Sequence, residues 1–333
     1  MARLSRRHSH WFSPTSTASV KNRDTFDNNN LSILEALQWA NNKLKKAGVE
    51  SPMLDAEVIL SHILNLSRAR LFAHGNDILK PHQQERLLSL IERRCSFEPV
   101  AYIIGEKEFY NRNFFVNSFV LIPRPSTETL VQKALDISIK INDPEHILFA
   151  DIGTGSGAIA ITLTSETKIP VVAVDINPRA LSVAKTNARN HNVEELIDFR
   201  EGDLMMPIVN LFESMRASSK QQVSSIYPFK YLIICANLPY LTNNQMDTIQ
   251  KDVCYEPKNA LQAGPDGLEA YWRLFKQINK MRNILPRYVY TLIEIDPSQS
   301  TRAVELISHQ FPHAKTQIKK DLQGLERVII SEI

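Results

Sequence analysis

The spacing of hydrophobic positions along this chain changes at about residue 105. From residue 31 to that point, apolar residues recur every three or four positions, which is typical of amphipathic helices. Ser32 and the Ser51-Pro52 pair are typical helix starts, and Gly48 is a typical helix stop. We therefore predict a helical domain over residues 31–105.

A short stretch with a different pattern follows. Residues 106–122 contain two strand-like segments around a polar turn at residues 111–113, which predicts a β-hairpin. We interpret residues 106–125 as this hairpin and a linker. Ser126 or Thr127 can then cap a helix that carries Glu128 in its first turn.

From residue 147 onwards, apolar runs of strand length alternate with helical segments. This alternation favours a parallel sheet. Two adjacent strand-like segments near residues 316–319 and 326–330 predict an antiparallel edge. The expected fold class is α/β: a Rossmann-like, mostly parallel sheet with an antiparallel edge over residues 126–333, preceded by the small helical domain.

The apolar run at residues 231–235 ends in the motif Asn237-Leu238-Pro239-Tyr240. Proline stops the strand, so Asn237 is expected at the carboxyl edge of a central strand, where open α/β sheets bind ligands. The Asn237 side chain and the Leu238 carbonyl can accept hydrogen bonds from an NH2 group. Pro239 stiffens the turn, and Tyr240 offers a flat face for stacking. A planar amide or a base amine would suit this arrangement, although a strand-end Asx turn would use the same residues.

The strand that begins at residue 147 leads into a glycine-rich loop at residues 153–157. Alternate glycines let the backbone approach a ligand and supply N–H groups at the start of a helix. Asp175 ends the next strand, about twenty residues on, where an acid can bind ribose hydroxyls. The loop lacks both the glycine spacing of a dinucleotide site and the lysine of a phosphate-binding loop. The sequence therefore favours a nucleoside ligand without phosphates.

The charge and the composition of the chain disfavour several classes of binding partner. The net charge of the 333 residues is +3, and five basic residues without an acid lie within residues 1–23, so the remainder is near neutral. A near-neutral body disfavours nucleic-acid binding. The three cysteines form no CxxC pair, which predicts no disulfide framework and no metal site and fits a reducing compartment. No apolar run approaches the ~20 residues that span a bilayer, so no membrane partner is expected.

Residues 1–30 are rich in Ser, Arg and Asn, and we expect them to be a disordered extension. The expected location is the cytoplasm. An Arg- and Ser-rich start that lacks acids also fits an organellar transit peptide, so the mitochondrial matrix is the alternative.

Several motifs together resemble a known enzyme family. The loop that starts at Asp151 resembles the first motif of class I S-adenosylmethionine-dependent methyltransferases, and residues 237–240 resemble the fourth motif of those that methylate a planar nitrogen. Further segments limit the resemblance to one family among these methyltransferases: residues 122–128, 255–261 and 264–268, and Glu294-Ile295 before Gln299. With the helical unit, they resemble the HemK/PrmC-type protein-glutamine N5-methyltransferases. That family modifies the glutamine of the Gly-Gly-Gln motif in peptide-chain release factors.

The resemblance implies a cofactor, a substrate and a set of site residues. The cofactor is S-adenosyl-L-methionine, with S-adenosyl-L-homocysteine as its product, and the partner is a release factor bound by a monomeric enzyme. The implied catalytic residues are Asn237, Leu238, Pro239 and Tyr240. The implied cofactor-binding residues are Gly153, Thr154, Gly155, Ser156, Gly157, Asp175, Asp203, Leu204 and Asn237. Arg124 and Glu128 are placed near the site, where a salt bridge at the hinge is the alternative.

The chain departs from the family pattern at four positions. Leu238 and Ser126 replace a usual Pro and a usual Glu, and Ala263 replaces a usual Gly. Leu204 occupies a position where an aromatic residue is frequent. Since Asn-Leu-Pro-Tyr also occurs in ribosomal RNA adenine dimethyltransferases, an rRNA or DNA adenine amino-methyltransferase is the alternative function. A non-catalytic cofactor-binding protein is a further alternative.

Overall fold

The computed structural model describes residues 31–218 and 229–333, which divide into two compact units before and after the Cys95–Ser96 bond. The extension expected over residues 1–30 lies outside the described residues. Within the described ranges, no helix is both long enough and apolar enough to cross a membrane. The domain boundaries proposed at residues 105 and 125 stay predictions.

Residues 31–95 of the first unit form four helices, and the first two start where the sequence predicts, although Ser51 makes no side-chain capping hydrogen bond. Ser32 caps the first helix through a reciprocal capping box with Glu35, and Gly48 ends it in the left-handed conformation at φ 83°. Pro52 occupies the first position of the second helix, as predicted. The helices are α1 (Ile33–Ala47), α2 (Pro52–Leu64), α3 (Arg68–Ala73) and α4 (Pro81–Cys95).

The second unit begins with a short helix, α5 (Val100–Ile104), and the predicted hairpin of β1 (Glu106–Phe109) and β2 (Arg112–Phe115). The expected turn at residues 111–113 was wrong. The turn consists of Tyr110 and Asn111, at φ 50° and 57°, the geometry of a two-residue hairpin turn. The Tyr110 N–H donates to Glu128 Oε1 at 2.9 Å, a contact from a distant helix that holds the turn in this position.

A seven-stranded sheet dominates the second unit, in the order β5-β4-β3-β6-β7-β9-β8. The first five strands are parallel, and β9 pairs antiparallel with β7 and β8, which confirms the predicted edge. The strands are β3 (Ile147–Ile152), β4 (Val171–Asp175), β5 (Ile197–Glu201), β6 (Tyr231–Ala236), β7 (Tyr288–Glu294), β8 (Lys315–Lys320) and β9 (Glu326–Glu332). The helices are α6 (Thr127–Ile141), α7 (Ala158–Thr167), α8 (Pro178–Asn190), α9 (Met206–Ser218), α10 (Asn243–Asp247), α11 (Glu269–Lys280) and α12 (Ser300–Gln310).

The sheet order creates a crevice between β3 and β6. The chain runs outward from β3 to β4 and β5 and then returns to place β6 on the other side of β3. Loops that leave neighbouring strands in opposite directions open a gap at their carboxyl ends, which is where such sheets bind ligands. The glycine loop follows β3 and Asn237 follows β6, so the fold brings the two main motifs to the two sides of one gap.

Helix α6 corrects one expectation about capping. Ser126 occupies the N-cap position, but its backbone is helical and its side chain makes no capping hydrogen bond. Its hydroxyl instead donates to Glu294 Oε1 at 2.9 Å. The Ser126 side chain, which was expected to cap α6, therefore connects α6 to the end of β7.

Asn187 on α8 connects the hairpin to the sheet. Its Oδ1 accepts from the Phe115 N–H at 2.7 Å, and its Nδ2 donates to the carbonyl oxygens of Phe115 (2.9 Å) and Ser156 (2.8 Å). Asn187 is fully buried, so no water can replace these partners after truncation.

We predict that Asn187→Ala lowers the free energy of unfolding by about 3 kcal/mol, because three buried hydrogen-bonding groups lose their partner. Urea denaturation followed by circular dichroism measures this change. The control is Asn190→Ala at the exposed end of the same helix, which should change stability by less than about 0.5 kcal/mol. Equal effects of the two substitutions would contradict this assignment.

Candidate active site

A cavity of about 350 Å³ lies at the carboxyl ends of the central strands. Its volume is in the range of small-molecule sites. Two of the site residues predicted from the sequence, Gly157 and Tyr240, do not line it. The predicted residues that do line it are Gly153, Thr154, Gly155, Ser156, Asp175, Asp203, Leu204, Asn237, Leu238 and Pro239.

Four N–H groups of the glycine loop already donate to acceptors of the protein, mainly at the end of β4. Those of Gly153 and Thr154 both donate to the Val174 carbonyl, at 2.8 and 2.9 Å. The Gly155 N–H donates to Asp175 Oδ2 at 2.9 Å, and the Gly157 N–H donates to a loop carbonyl. The expectation that the loop presents N–H donors to a ligand was therefore wrong for these four groups.

The glycine loop lets a ligand approach its backbone closely. Gly155 has φ +55°. Apart from its two neighbours in the chain, the described residues place one atom within 4 Å of a Cβ added there, the Gly153 carbonyl oxygen at 3.9 Å. The space beside Gly155 is thus open to a bound molecule. Gly157 is required for another reason, because a Cβ there would lie 2.9 Å from the Ile161 side chain and 3.2 Å from Ala184 Cβ, where α7 packs on α8.

Asp151, at the end of β3, holds the loop in shape. Its Oδ2 accepts from the Thr154 hydroxyl at 2.6 Å and from the Ala160 N–H at 3.1 Å. Its Oδ1 is buried and has no hydrogen-bond partner in residues 31–218 or 229–333. Burial raises the pKa of Asp151 to about 7. In the sequence, Asp151 begins the glycine-loop motif, and no separate role was predicted for it.

Asp175 ends β4 and faces the same cavity. Its two carboxylate oxygens accept from the N–H groups of Gly155 and Asn177, each at 2.9 Å. A carboxylate oxygen has two acceptor positions, so each retains capacity for a ligand hydroxyl. Burial raises the pKa of Asp175. The next residue, Ile176, is 61% exposed and lines the cavity, and it was not among the predicted site residues.

The Asp203 carboxylate is already engaged by protein. Its oxygens accept from Arg273 Nη2 at 2.6 Å and from Gln277 Nε2 at 2.9 Å, both on α11. Gln277 also accepts from the Met205 N–H at 2.9 Å, so α11 fixes the turn in which Leu204 has φ 49°. Arg273 lines the cavity as well. Nothing in the local sequence indicated these partners, which lie about seventy residues further along the chain.

Asn237 lies one residue beyond β6, and its amide has a defined orientation. Nδ2 donates to the Thr127 hydroxyl at 3.0 Å, and Oδ1 has no partner among the residues that the structure describes. The Leu238 N–H donates to the Tyr271 hydroxyl at 3.1 Å, and that hydroxyl donates to the Glu294 carbonyl. The Asn237 oxygen is thus the group left to accept a hydrogen bond in the cavity.

Glu294, at the end of β7, is fully buried behind this motif. Its Oε1 accepts from Ser126, and its Oε2 has no hydrogen-bond partner within the described parts of the chain. Burial raises the pKa of Glu294, while the hydroxyls of Thr127 and Ser126 and the charges of Arg327 and Arg124 lower it.

Residues 264–268 pack against Tyr240 from the other side. The Tyr240 carbonyl accepts from Gln299 Nε2 at 2.8 Å, and the same Gln299 nitrogen donates to the Asp266 carbonyl at 3.1 Å. A Cβ at Gly267 would overlap both Gln299 Nε2 and the Tyr240 carbonyl, so only glycine fits there. This contact gives Tyr240 a structural position outside the cavity lining.

The linker before α6 is fixed by an ion pair. The Arg124 guanidinium pairs with Glu256, whose Oε2 also accepts from the Ile122 N–H at 3.0 Å. Arg124 still lines the cavity, whereas Glu128 binds the hairpin turn and does not. The two residues that were expected near the site therefore have different positions.

Comparisons with known proteins give matches for both the helical N-terminal part and the sheet-containing part of the chain. Residues 35–105 match the family model of the PrmC N-terminal domain, and residues 145–216 match that of a methyltransferase domain. A release factor glutamine methyltransferase of Bacillus anthracis is 32% identical over 305 residues, which cover 90% of this chain and 99% of that protein. The Dictyoglomus turgidum enzyme of the same name is 34% identical over 298 residues (89% and 97%). The Bacillus subtilis enzyme is 34% identical over 304 residues (90% and 98%).

We predict that the stability of the Asp151→Asn variant increases relative to that of the wild type as the pH rises. A buried carboxyl with a pKa of about 7 binds its proton more tightly than in the unfolded chain, so its ionisation destabilises the fold progressively between about pH 4 and 7. Asparagine retains an acceptor oxygen for Thr154 and Ala160 but cannot ionise.

Urea denaturation of both proteins at pH 5 and pH 8 tests this effect. The stability difference should move in favour of the variant by about 1–3 kcal/mol between these values. Asp198→Asn on the exposed face of β5 is the control, and its difference should stay constant. A pH-independent difference for Asp151→Asn would contradict the prediction.

Proposed function

This chain belongs to the family of release factor glutamine methyltransferases, and from that premise we propose that it methylates the side-chain amide nitrogen of a glutamine. The methyl donor is S-adenosylmethionine, and the glutamine is that of the Gly-Gly-Gln motif in a peptide-chain release factor. The observation that carries this proposal is the Asn237 amide, whose nitrogen is bound to Thr127 while its oxygen is left to accept from an NH2 group.

The residues on the β3–β4 side of the cavity suit the cofactor. The two Asp175 oxygens can accept from neighbouring ribose hydroxyls, and the open space at Gly155 accommodates the methionine portion. Ile176 and Leu204 supply apolar surface for the adenine ring. Because the Asp203 carboxylate is occupied by Arg273 and Gln277, its part in this assignment is to hold the turn. When bound, S-adenosylmethionine supplies a methyl group on a positively charged sulfur, so no protein nucleophile is needed.

The residues on the β6 side address the poor reactivity of an amide nitrogen. Its lone pair is delocalised into the carbonyl, and nitrogen must gain positive charge as the methyl group is transferred. Two acceptors, Asn237 Oδ1 and the Leu238 carbonyl, would bind the NH2 protons and stabilise that charge in the transition state. Fixing the nitrogen in line with the methyl group contributes several kcal/mol more through proximity. The nitrogen that gains the methyl group would release one N–H proton to solvent. We assign Asn237 and Leu238 binding and polarisation, because neither carries a titratable group.

We predict that Asn237→Ala lowers methyl transfer at least about a hundredfold and leaves cofactor affinity unchanged, because the lost acceptor acts on the transition state. The assay is mass spectrometry of purified release factor after incubation with isotope-labelled S-adenosylmethionine, with calorimetry for cofactor binding. Asn244→Ala on the exposed face of α10 is the matched control and should keep wild-type turnover.

The same assay tests the proposed function itself. The wild type should add one methyl group to the glutamine of the Gly-Gly-Gln loop. Parallel reactions with ribosomal RNA and with DNA test the adenine alternative, and label in either nucleic acid but not in the release factor would overturn the proposal. Wild-type turnover by Asn237→Ala would refute the role of this side chain.

We predict that Asp175→Ala raises the dissociation constant of S-adenosylmethionine at least about 30-fold, because two hydrogen bonds to a charged acceptor are lost. Isothermal titration calorimetry measures the change. The control is Glu201→Ala, which removes an exposed acid at the end of the adjacent strand. Unchanged affinity for Asp175→Ala would contradict the ribose assignment.

A further inference from the structure

We propose that Phe119 is a cofactor-binding residue whose ring packs against the adenosine portion of S-adenosylmethionine. This inference rests on the cofactor part of the proposed function, because it concerns the same cavity. It assigns a purpose to an exposed aromatic side chain that the proposed chemistry does not otherwise use, and Phe119 was not among the site residues predicted from the sequence.

Phe119 lines the cavity and is 39% exposed. The lining formed by residues 31–218 and 229–333 contains one other aromatic ring, that of Phe109. Phe109 is fully buried and packs edge-on against Phe114, with the ring centroids 6.0 Å apart, so its ring belongs to the core. Phe119 is therefore the aromatic side chain of this lining that still has apolar surface to bury. Burial of that surface against a bound molecule is favourable.

The turn that carries Phe119 has a fixed shape. The Phe119 N–H donates to Asn117 Oδ1 at 3.0 Å, and the Val120 N–H donates to the Asn117 carbonyl at 3.1 Å. The Val120 carbonyl accepts from the Tyr102 hydroxyl at 2.6 Å, and the Val120 side chain is buried in an apolar cluster that includes Ala180 of α8. The backbone that presents the Phe119 ring is thus held before a ligand arrives, which reduces the entropy cost of binding.

The turn lies beside the strand end to which the ribose is assigned. Asn177 connects the two segments. Its N–H donates to Asp175 Oδ1 at 2.9 Å, and its Nδ2 lies 3.5 Å from the Phe119 carbonyl oxygen, which is a long hydrogen bond. Ile176, between these two residues, also lines the cavity. Phe119 and Ile176 therefore place apolar surface next to the carboxylate that would bind the ribose, whereas the methionine portion is assigned to the space at Gly155.

Arg179 of α8 supports the ring from the side away from the cavity. Its guanidinium carbon lies 5.0 Å from the centroid of the Phe119 ring, within the range of a cation–π contact. Arg179 itself does not line the cavity, whereas Phe119 does, so the ring stands between the guanidinium and the cavity. With one face against Arg179, the other face is left for the ligand. An aromatic face is a good stacking surface for a nucleobase.

The affinity test uses the full chain and isothermal titration calorimetry. We expect Phe119→Ala to raise the dissociation constant of S-adenosylhomocysteine about tenfold, and Phe119→Tyr, which retains the ring, to stay within about threefold of the wild type. Phe115→Ala is the matched control, because Phe115 is also 39% exposed but does not line the cavity, and it should bind like the wild type. All three melting temperatures should stay near that of the wild type, because both rings are exposed. Unchanged affinity in Phe119→Ala would overturn the proposal.

A comparison of two ligands identifies the part of the cofactor that Phe119 contacts. S-adenosylmethionine carries a positive charge on sulfur, and S-adenosylhomocysteine does not. If the ring packs against the adenosine portion, Phe119→Ala should weaken the binding of both ligands by the same factor. A contact between the ring and the charged sulfur would instead weaken S-adenosylmethionine more strongly, and that result would overturn the adenosine assignment.

A second set of variants tests the support from Arg179. Arg179→Met should weaken the binding of S-adenosylhomocysteine about threefold, because the ring loses the contact that holds it. Lys185→Met removes an exposed cation from the same helix and should have no effect. When Phe119 is already alanine, the further change of Arg179 should weaken binding no more, since the supported ring is gone. Additive losses would refute the role of Arg179.

Nuclear Overhauser effects separate this inference from the proposed function. The ring proton signals of Phe119, identified by their loss in Phe119→Ala, should show effects to the adenosine protons of bound S-adenosylhomocysteine. That contact together with an unmethylated release factor would refute the proposed substrate and leave the Phe119 assignment intact. Methylation of the release factor without the contact would refute this inference alone. A wild type that binds neither ligand would overturn both the cofactor and the role of Phe119.

Discussion

The site depends on one buried carboxylate at the end of β7. Glu294 has no access to solvent, and around it converge α6 through Ser126 and Thr127, α11 through Tyr271, and the turn after β6. Burying a carboxylate is unfavourable unless hydrogen bonds and nearby charges compensate. The Ser126 hydroxyl donates to this carboxylate, whereas the Tyr271 hydroxyl donates to the Glu294 backbone carbonyl. The side chain and the backbone of Glu294 thus connect α6 and α11 to the end of β7.

The two halves of the cavity are built in different ways. On the β3–β4 side, the contacts are local: Asp175 accepts from the Gly155 N–H, and Asp151 accepts from the Thr154 hydroxyl and from the N–H of Ala160 in α7. On the β6 side, the Asn237 amide donates to the hydroxyl of Thr127, which lies 110 residues earlier in the sequence. The contacts of Asp151 and Asp175 therefore need only β3, β4 and the segment between them. The acceptor half requires α6, β6 and β7 to be in place together, so it is the part most sensitive to changes elsewhere in the unit.

This difference also explains which features the sequence could predict. The strand ends at Asp175 and Asn237 and the antiparallel edge follow from local apolar spacing and from proline, and the structure has them where expected. The hairpin turn at Tyr110 was misplaced because Glu128, on a later helix, holds it. Arg273 and Gln277 were missed because their partner, Asp203, is distant in sequence. Hydrogen bonds between remote segments leave no local periodicity, and such bonds occur on both sides of the cavity, at Asp203 and at Asn237.

The two departures from the family pattern nearest the acceptor site can be understood in the same terms. Proline at position 238 would have no N–H, whereas Leu238 donates one to Tyr271 and through it reaches Glu294. The Leu238 carbonyl, the group assigned to the substrate, is present with either residue. At position 126, a glutamate would bring a second carboxylate close to Glu294, whereas Ser126 brings a donor. Both substitutions add a hydrogen bond that leads to the same buried residue. They therefore add hydrogen bonds between the site and Glu294. The groups that would accept from the substrate are unchanged, so the departures are compatible with the methyl transfer proposed for this chain.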